Sequence, residues 1–284
     1  MDAVIVPAGR GTRMRPLTDT RPKPLLPVGR QSLLERTLDQ CVVLVDRFVL
    51  VVGYRGEMIR ERVGEAYAGV PVEYVEQPER LGTAHAIGQA ADAVSGPFLA
   101  LNGDVVVDRD LIEQLAAADG HALAVTTVTD PTAYGVVETE DGRLRALHEK
   151  PDDPPSNRVN VGLYAFEHSA FDAIERTEKS PRGEYEITDT IEGLLADGEA
   201  VTAVEYDGTW LDVGRPWEVL SATETVLSDL DGAIEGTVED GARLHGRSSS
   251  KRAPGCARAR TSRGRWSSDR APTSGRTRTS GERA

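Results

Sequence analysis

The apolar positions of the chain follow two rhythms that alternate over the first 230 residues. Val4-Ile5-Val6, Phe48-Val49-Leu50-Val51-Val52 and Phe98-Leu99-Ala100-Leu101 are unbroken runs, the pattern of strands covered on both faces of a parallel sheet. Between them the spacing turns helical. Ser32-Leu33-Leu34-Glu35 has the layout of a capping box, and Leu33, Leu34, Thr37, Leu38 and Cys41 continue one apolar face, predicting a helix over 32–42. Helices are also expected over 56–67, over the small-residue stretch from its cap Thr83 to about Val94, and from a cap at Asp108 through Leu111, Ile112 and Leu115. Strands are expected at 72–75 and, with alternating polarity, at 121–128. Asp141-Gly142 predicts a hairpin turn between 136–139 and 143–147. The apolar run 160–166, a helix on Ile187, Ile191, Leu194 and Leu195, a strand at 201–205 and a helix over 216–228 complete the pattern. The fold class that follows is α/β, a doubly wound, mostly parallel sheet with an antiparallel insertion.

Candidate chemistry begins where the first strand breaks into Pro7-Ala8-Gly9-Arg10-Gly11-Thr12-Arg13. A strand that runs into glycines gives a loop whose N–H groups can face a phosphate, and Gly9 and Gly11 let a ligand approach the main chain. A plain tight turn fits the same residues. A Walker loop would need Gly-Lys-Ser/Thr and a dinucleotide fingerprint a third glycine opening a helix; Thr12-Arg13-Met14 follows instead. Arg13, Arg15 and Lys23 surround the loop with positive charge, while Pro16, Pro22, Pro24 and Pro27 stiffen it. Asp104 ends an apolar strand, on the side where ligands gather in open α/β sheets. A turn aspartate would also fit there, but Asp108, ahead of the helical pattern Leu111, Ile112 and Leu115, is the better candidate for that duty, which leaves Asp104 for a metal. Gln77, Gly82 and Thr83 sit on a loop entering a helix, which capping and close packing also explain. Glu149-Lys150 reads equally as a solvated pair, and Trp210 most simply as core.

Taken together, the glycine loop with its Thr-Arg pair and the Pro22-Lys23-Pro24 segment resemble the signature of the sugar-1-phosphate nucleotidyltransferases, or nucleotide-sugar pyrophosphorylases. The resemblance covers residues 3–228 in five segments and points to the thymidylyltransferase and uridylyltransferase type. It implies a Rossmann-like fold and transfer of a nucleotidyl group, uridylyl or thymidylyl, from a nucleoside triphosphate to glucose- or N-acetylglucosamine-1-phosphate. It also implies roles. Ala8, Gly9, Gly11 and Thr12 would hold the nucleotide phosphates, and Gln77, Gly82 and Thr83 the base, the Gln77 amide donating and accepting together. Gly135, Glu149, Lys150, Asn160, Gly162 and Glu184 would line the sugar-phosphate pocket. Arg13 and Lys23 would stabilise developing charge, and Asp104 with Asp212, the latter in Trp210-Leu211-Asp212-Val213-Gly214, would bind Mg²⁺. Two readings from other classes stand beside it: a regulatory subunit that binds nucleotide sugar without turnover, and a nicotinamide-dependent oxidoreductase, which lacks its third glycine.

Beyond Asp231 the character changes. Residues 231–246 resemble the opening of a left-handed parallel β-helix built on hexapeptide repeats, a domain that in related enzymes trimerises and sometimes transfers acyl groups. It stops after about one coil, so a homo-oligomer stays open. Residues 247–284 contain no Val, Ile, Leu, Met, Phe or Tyr and are expected to be disordered, as a basic tail or as the product of a reading-frame error. The domain division expected is 1–230, 231–246 and 247–284.

Charge sharpens this division. The net charge is −13, yet residues 247–284 hold 11 of the 33 Lys and Arg and only 2 of the 46 Asp and Glu. The acidic body repels nucleic acid, and Trp266 alone offers no stacking series for single strands. No apolar run reaches the roughly 20 residues of a membrane span, and Met1-Asp2 leads into a strand without a basic leader, so a cytoplasmic enzyme is expected. His85, His121, His148, His168 and His245 have no paired spacing for zinc, and Cys41 and Cys256 suggest no disulfide framework. Four lysines in the chain, Lys23, Lys150, Lys179 and Lys251, set against so many acids suggest adaptation to a salty interior. The thermal unfolding midpoint should accordingly rise as salt is increased from millimolar to molar; a midpoint that does not move removes this reading.

Overall fold

The computed structural model describes residues 1–7 and 9–228. Ala8, the expected β-helix start and the basic tail lie outside them. A compact unit spans Met1–Leu227.

Fourteen strands are described: β1 (Asp2–Val6), β2 (Pro27–Val28), β3 (Gln31–Ser32), β4 (Arg47–Val52), β5 (Ala66–Tyr67), β6 (Val70–Glu76), β7 (Phe98–Asn102), β8 (Val105–Val107), β9 (His121–Thr127), β10 (Gly135–Glu140), β11 (Arg143–Glu149), β12 (Arg158–Phe166), β13 (Val201–Glu205) and β14 (Trp210–Asp212). The helices are α1 (Leu33–Cys41), α2 (Gly56–Val63), α3 (Thr83–Gly88), α4 (Arg109–Ala116), α5 (Ala170–Arg176), α6 (Ile187–Ala196) and α7 (Pro216–Ser228). The main sheet runs β10-β11-β13-β9-β12-β7-β1-β4-β6-β5. Strands β6, β4, β1 and β7 are parallel, β12 lies antiparallel between β7 and β9, and β13 is parallel to β9. The expected insertion is the antiparallel hairpin β10–β11, whose turn residues Asp141 and Gly142 both take positive φ, as a tight hairpin turn requires.

Both faces of the sheet are covered, which explains the unbroken apolar runs. Alternate residues of one strand feed two clusters: Val49, Val51, Phe98 and Ala100 pack with α3, α5 and α6, while Phe48, Leu50, Leu99 and Leu101 pack with α1, α2 and α4. A third, smaller cluster joins Met14, Leu26, Val28, Leu33, Val106, Val213 and Ala222. It ties the glycine loop to β8, β14 and α7.

Five expectations are corrected. The helix from Gly56 stops at Val63, because Gly64 takes φ 79° and the chain turns back through β5 onto β6. The helix expected to reach Val94 is α-helical only to Gly88 and continues as tight turns. Thr83 does not cap it; Gly82 occupies that position. Asp108 stands at the N-cap of α4 but makes no capping bond, since its carboxylate is taken elsewhere. The β9 strand is buried over its first five residues rather than alternating, because β12 and β13 flank it and helices cover it. The capping box at the start of α1 is formed in full, with Glu35 N–H donating to Ser32 Oγ and Ser32 N–H to Glu35 Oε2.

Candidate active site

The glycine loop is shaped from within and pressed from one side. Gly11 takes φ 61°, its carbonyl accepts from Thr18 Oγ1 at 2.7 Å and from Met14 N–H at 2.9 Å, and a helical turn over Thr12–Met14 follows. A Cβ built on Gly11 would stand 2.9 Å from Lys23 Cβ, so the loop and the Pro-Lys-Pro segment are in van der Waals contact. Lys23, only 7% exposed, donates to Asp104 Oδ2 at 2.7 Å.

A short ribbon sets the two candidate acids side by side. Asp104 immediately precedes β8, Asp212 ends β14, and the antiparallel register puts Asp212 opposite Val105. The far end of this ribbon is closed by Asp108, whose Oδ2 accepts from Tyr206 Oη at 2.8 Å and Thr209 N–H at 3.1 Å. Burial raises the Asp212 carboxyl above its ordinary value and neighbouring Asp104 adds to the rise, against the opposing pull of Lys23 and Arg13. A Cβ on Gly214 would lie 3.7 Å from Asp212 Oδ2 and 3.8 Å from Arg13 Nη2; guanidinium and carboxylate share that corner.

On one side of the acids lies a cleft of about 500 Å³. Arg13, Lys23, Asp104 and Asp212 line it together with Gly135, Glu149, Lys150, Asn160, Gly162 and Glu184. Glu149 is paired with Lys150 at 2.6 Å and Arg182 at 2.9 Å, and these cations hold its carboxyl below the usual range although burial works the other way. Lys150 takes φ 46°, a strained conformation that a non-glycine residue adopts only when its surroundings fix it; its N–H donates to Tyr134 O. A bulge in β12 follows Asn160, whose Oδ1 accepts from Gly162 N–H and whose Nδ2 donates to Tyr164 Oη.

On the other side lies a hollow of about 300 Å³ lined by Gly9, Gln77, Arg80, Gly82 and Thr83. Thr83, Asn102, Asp104 and Glu184 border both spaces, so the two adjoin. Gly82 takes φ 112°, and a Cβ there would run into the main chain of Tyr185. Hydrogen bonds from Ala84 N–H to Tyr185 O and from Tyr185 N–H to Leu81 O lock this loop to the one carrying Glu184. Gln77 differs from expectation: its Nε2 is already engaged by Gly82 O and His85 Nδ1, so the amide has only its oxygen to offer a base. Gly11 and Thr12 border neither space; Gly11 faces Lys23 and Thr12 is exposed in its turn.

Several lining residues escaped sequence reasoning. Arg182 bridges Glu149 and Glu186, and Arg215 and Glu218 stand at the start of α7, where Glu218 accepts from Gly214 and Arg215 N–H at 2.7 Å. The signal for Arg182 was its place two residues before Glu184. Among the described residues no three His, Cys, Asp or Glu side chains are placed to hold a metal. The donor chemistry nonetheless suits a divalent ion: two carboxylates in one cleft, one with its ionised form disfavoured, are relieved by a hard cation completed by water and phosphate oxygens.

The family described as nucleotidyl transferase matches residues 2–229. The chain is 38% identical over 248 residues to the "Bifunctional protein GlmU" of Methanocaldococcus jannaschii, covering 87% of this chain and 59% of that protein's length. It is 35% identical over 243 residues to the "UTP--glucose-1-phosphate uridylyltransferase AglF" of Haloferax volcanii, covering 83% of this chain and all of that one. A solved UDP-glucose pyrophosphorylase complexed with UDP-glucose shares the fold, with a TM-score of 0.73 at 21% identity over 79% of this chain and 97% of its own.

The raised Asp212 carboxyl yields a prediction with a definite sign. A carboxyl whose pKa is higher folded than unfolded penalises the folded state at any pH above its folded value, and the penalty fades as pH falls toward the ordinary value of about 4. Asp212→Asn removes it. Without divalent metal, the variant should unfold at a higher temperature than the parent at neutral pH, with the gap closing toward pH 4; a lower midpoint at neutral pH contradicts the assignment.

Proposed function

As a member of the nucleotidyl transferase family, this chain, we propose, transfers a nucleotidyl group from a nucleoside triphosphate to a sugar-1-phosphate and releases pyrophosphate. The observation that carries the reading is that two hollows adjoin at Asp104, with Arg13, Lys23 and Asp212 lining the larger one beside it. The triphosphate would lie along Gly9 with its base toward Gln77, Gly82 and Thr83. The sugar phosphate would lie among Gly135, Glu149, Lys150, Asn160, Gly162 and Glu184, with Arg182 as a further cation.

An oxygen of the sugar phosphate attacks the α-phosphorus, a new P–O bond forms, and the bond to the bridging oxygen of pyrophosphate breaks. The nucleophile is already anionic, so no protein base is needed; the residues position two repelling anions and neutralise their charge. Lys23 and Arg13 supply fixed positive charge where the α-phosphoryl and leaving group meet. Mg²⁺ held by Asp104 and Asp212 would supply Lewis-acid neutralisation of the phosphates. We favour uracil or thymine as base and glucose or N-acetylglucosamine as sugar; uracil and glucose are the pair in the name of the uridylyltransferase relative. We place the enzyme in the cytoplasm, as expected from its sequence; separately, no described helix is long and apolar enough to cross a membrane.

Pyrophosphate release measured across UTP, dTTP, CTP, GTP and ATP with glucose-, N-acetylglucosamine- and galactose-1-phosphate tests the reaction. Lys23→Ala, or Asp104→Asn, which keeps an acceptor for Lys23, should lower turnover by at least about a hundredfold, ~2.7 kcal/mol of barrier, with the circular dichroism spectrum unchanged. Release within a few-fold of the parent in either variant would falsify these roles.

A further inference from the structure

We propose that His85 decides which bases the nucleoside hollow accepts, by locking the Gln77 amide so that only its carbonyl oxygen faces the ligand. The inference rests on the nucleotide reading above. Gln77 follows β6, its N–H donates to Val52 O at 2.8 Å, and the residue is only 5% exposed. One end of its amide lies 3.3 Å from Gly82 O and 3.0 Å from His85 Nδ1. A backbone carbonyl oxygen only accepts, so that end must be the NH₂ group, whose two hydrogens go to Gly82 O and to an unprotonated Nδ1.

Turning the amide over would set oxygen against oxygen at Gly82. Two bonds hold the orientation, and His85 provides one of them. The imidazole is itself stacked on Tyr185 with centroids 6.1 Å apart and planes at 22°; Gln89 Nε2 donates to the His85 main-chain oxygen at 3.2 Å and lies 3.4 Å from ring Nε2, the nitrogen that carries the proton when Nδ1 accepts. Gln77 Oε1 has no donor among the described residues and is not sealed from solvent. It is therefore an acceptor without a donor, on a residue that lines this hollow and also a neighbouring space of about 510 Å³ beside Arg10 and Tyr54.

A lone acceptor suits a base that presents a ring N–H. Uracil and thymine offer N3–H, whereas cytosine turns an unprotonated N3, a second acceptor, toward the same point; a site built for one hydrogen-bond polarity rejects the other far more strongly than size alone allows. Once His85 no longer accepts, only the Gly82 bond opposes turning of the amide, and the rejection weakens. UTP and dTTP present the same edge, so their ratio should not respond.

The test compares kcat/KM for UTP, dTTP and CTP in the parent and in three variants. Asn at 85 places its Oδ1 where Nδ1 stood; Phe and Gln place no acceptor there. His85→Phe and His85→Gln should each lower the UTP:CTP ratio by about tenfold or more, leave UTP:dTTP within about twofold and leave KM for the sugar phosphate within about threefold, while His85→Asn keeps the parent ratio. An unchanged UTP:CTP ratio in Phe and Gln, or an Asn variant as relaxed as they are, overturns the proposal. If Phe does not fold, the Asn and Gln pair carries the same comparison. Should the parent release no pyrophosphate with any triphosphate, the transferase reading fails separately. Equilibrium binding of UTP and CTP to the same proteins then tests His85, with the same ratios expected and either equal ratios throughout or no binding overturning it.

Discussion

The structure depends on a small apolar cluster lying beneath a set of charges. Met14, Leu26, Val106 and Val213 are buried together, and each is next to, or within three residues of, a charged group in the cleft: Arg13, Lys23, Asp104 and Asp212. The loop, the Pro-Lys-Pro segment and both strands of the ribbon come from parts of the chain up to two hundred residues apart. Side chains that repel one another would not hold such a geometry by themselves, because two acids in a partly desolvated cleft favour separation. Burial of their apolar neighbours supplies the opposing force, each large side chain contributing roughly 1.5–3 kcal/mol. Charge is thus placed by hydrophobic contact.

The same arrangement explains why the site is electrically unfinished. Lys23 is committed to Asp104, Arg182 to Glu149 and Glu186, and Asp212 is left with its ionised form disfavoured. A protein selected only for stability would lower that tension. The proposed function, which gathers a divalent ion and two phosphorylated molecules, would keep it, since incoming positive charge is stabilised most where negative charge is least compensated.

Much of the fold was legible from local pattern. The unbroken runs at 48–52 and 98–101 became central strands because helices cover both faces, and Ser32 with Glu35 formed its capping box because both partners lie within one turn. What failed was local signal overruled by distant partners. Thr83 reads as a cap, but Gly82 must take positive φ to fit under Tyr185. Asp108 reads as a cap, but Tyr206 and Thr209, about a hundred residues on, claim its carboxylate. Gln77 could be singled out from its loop, yet the direction of its amide depends on Gly82 O and on His85, whose side chain carries no periodic or motif signal. The juxtaposition of Asp104 and Asp212 rests on the β8–β14 register, which three residues per strand are too short to announce.

The most direct test compares two cavities of similar size. Met14→Ala opens one in the cluster beneath the charges and Leu115→Ala one in the separate cluster that α1, α2 and α4 cover; both side chains are fully buried, and each change costs about 2–5 kcal/mol of stability. Measured at a temperature where both are folded, turnover per folded molecule should fall about tenfold or more in Met14→Ala and stay near the parent in Leu115→Ala. Equal turnover in the two would mean that the apolar cluster does not position the charges.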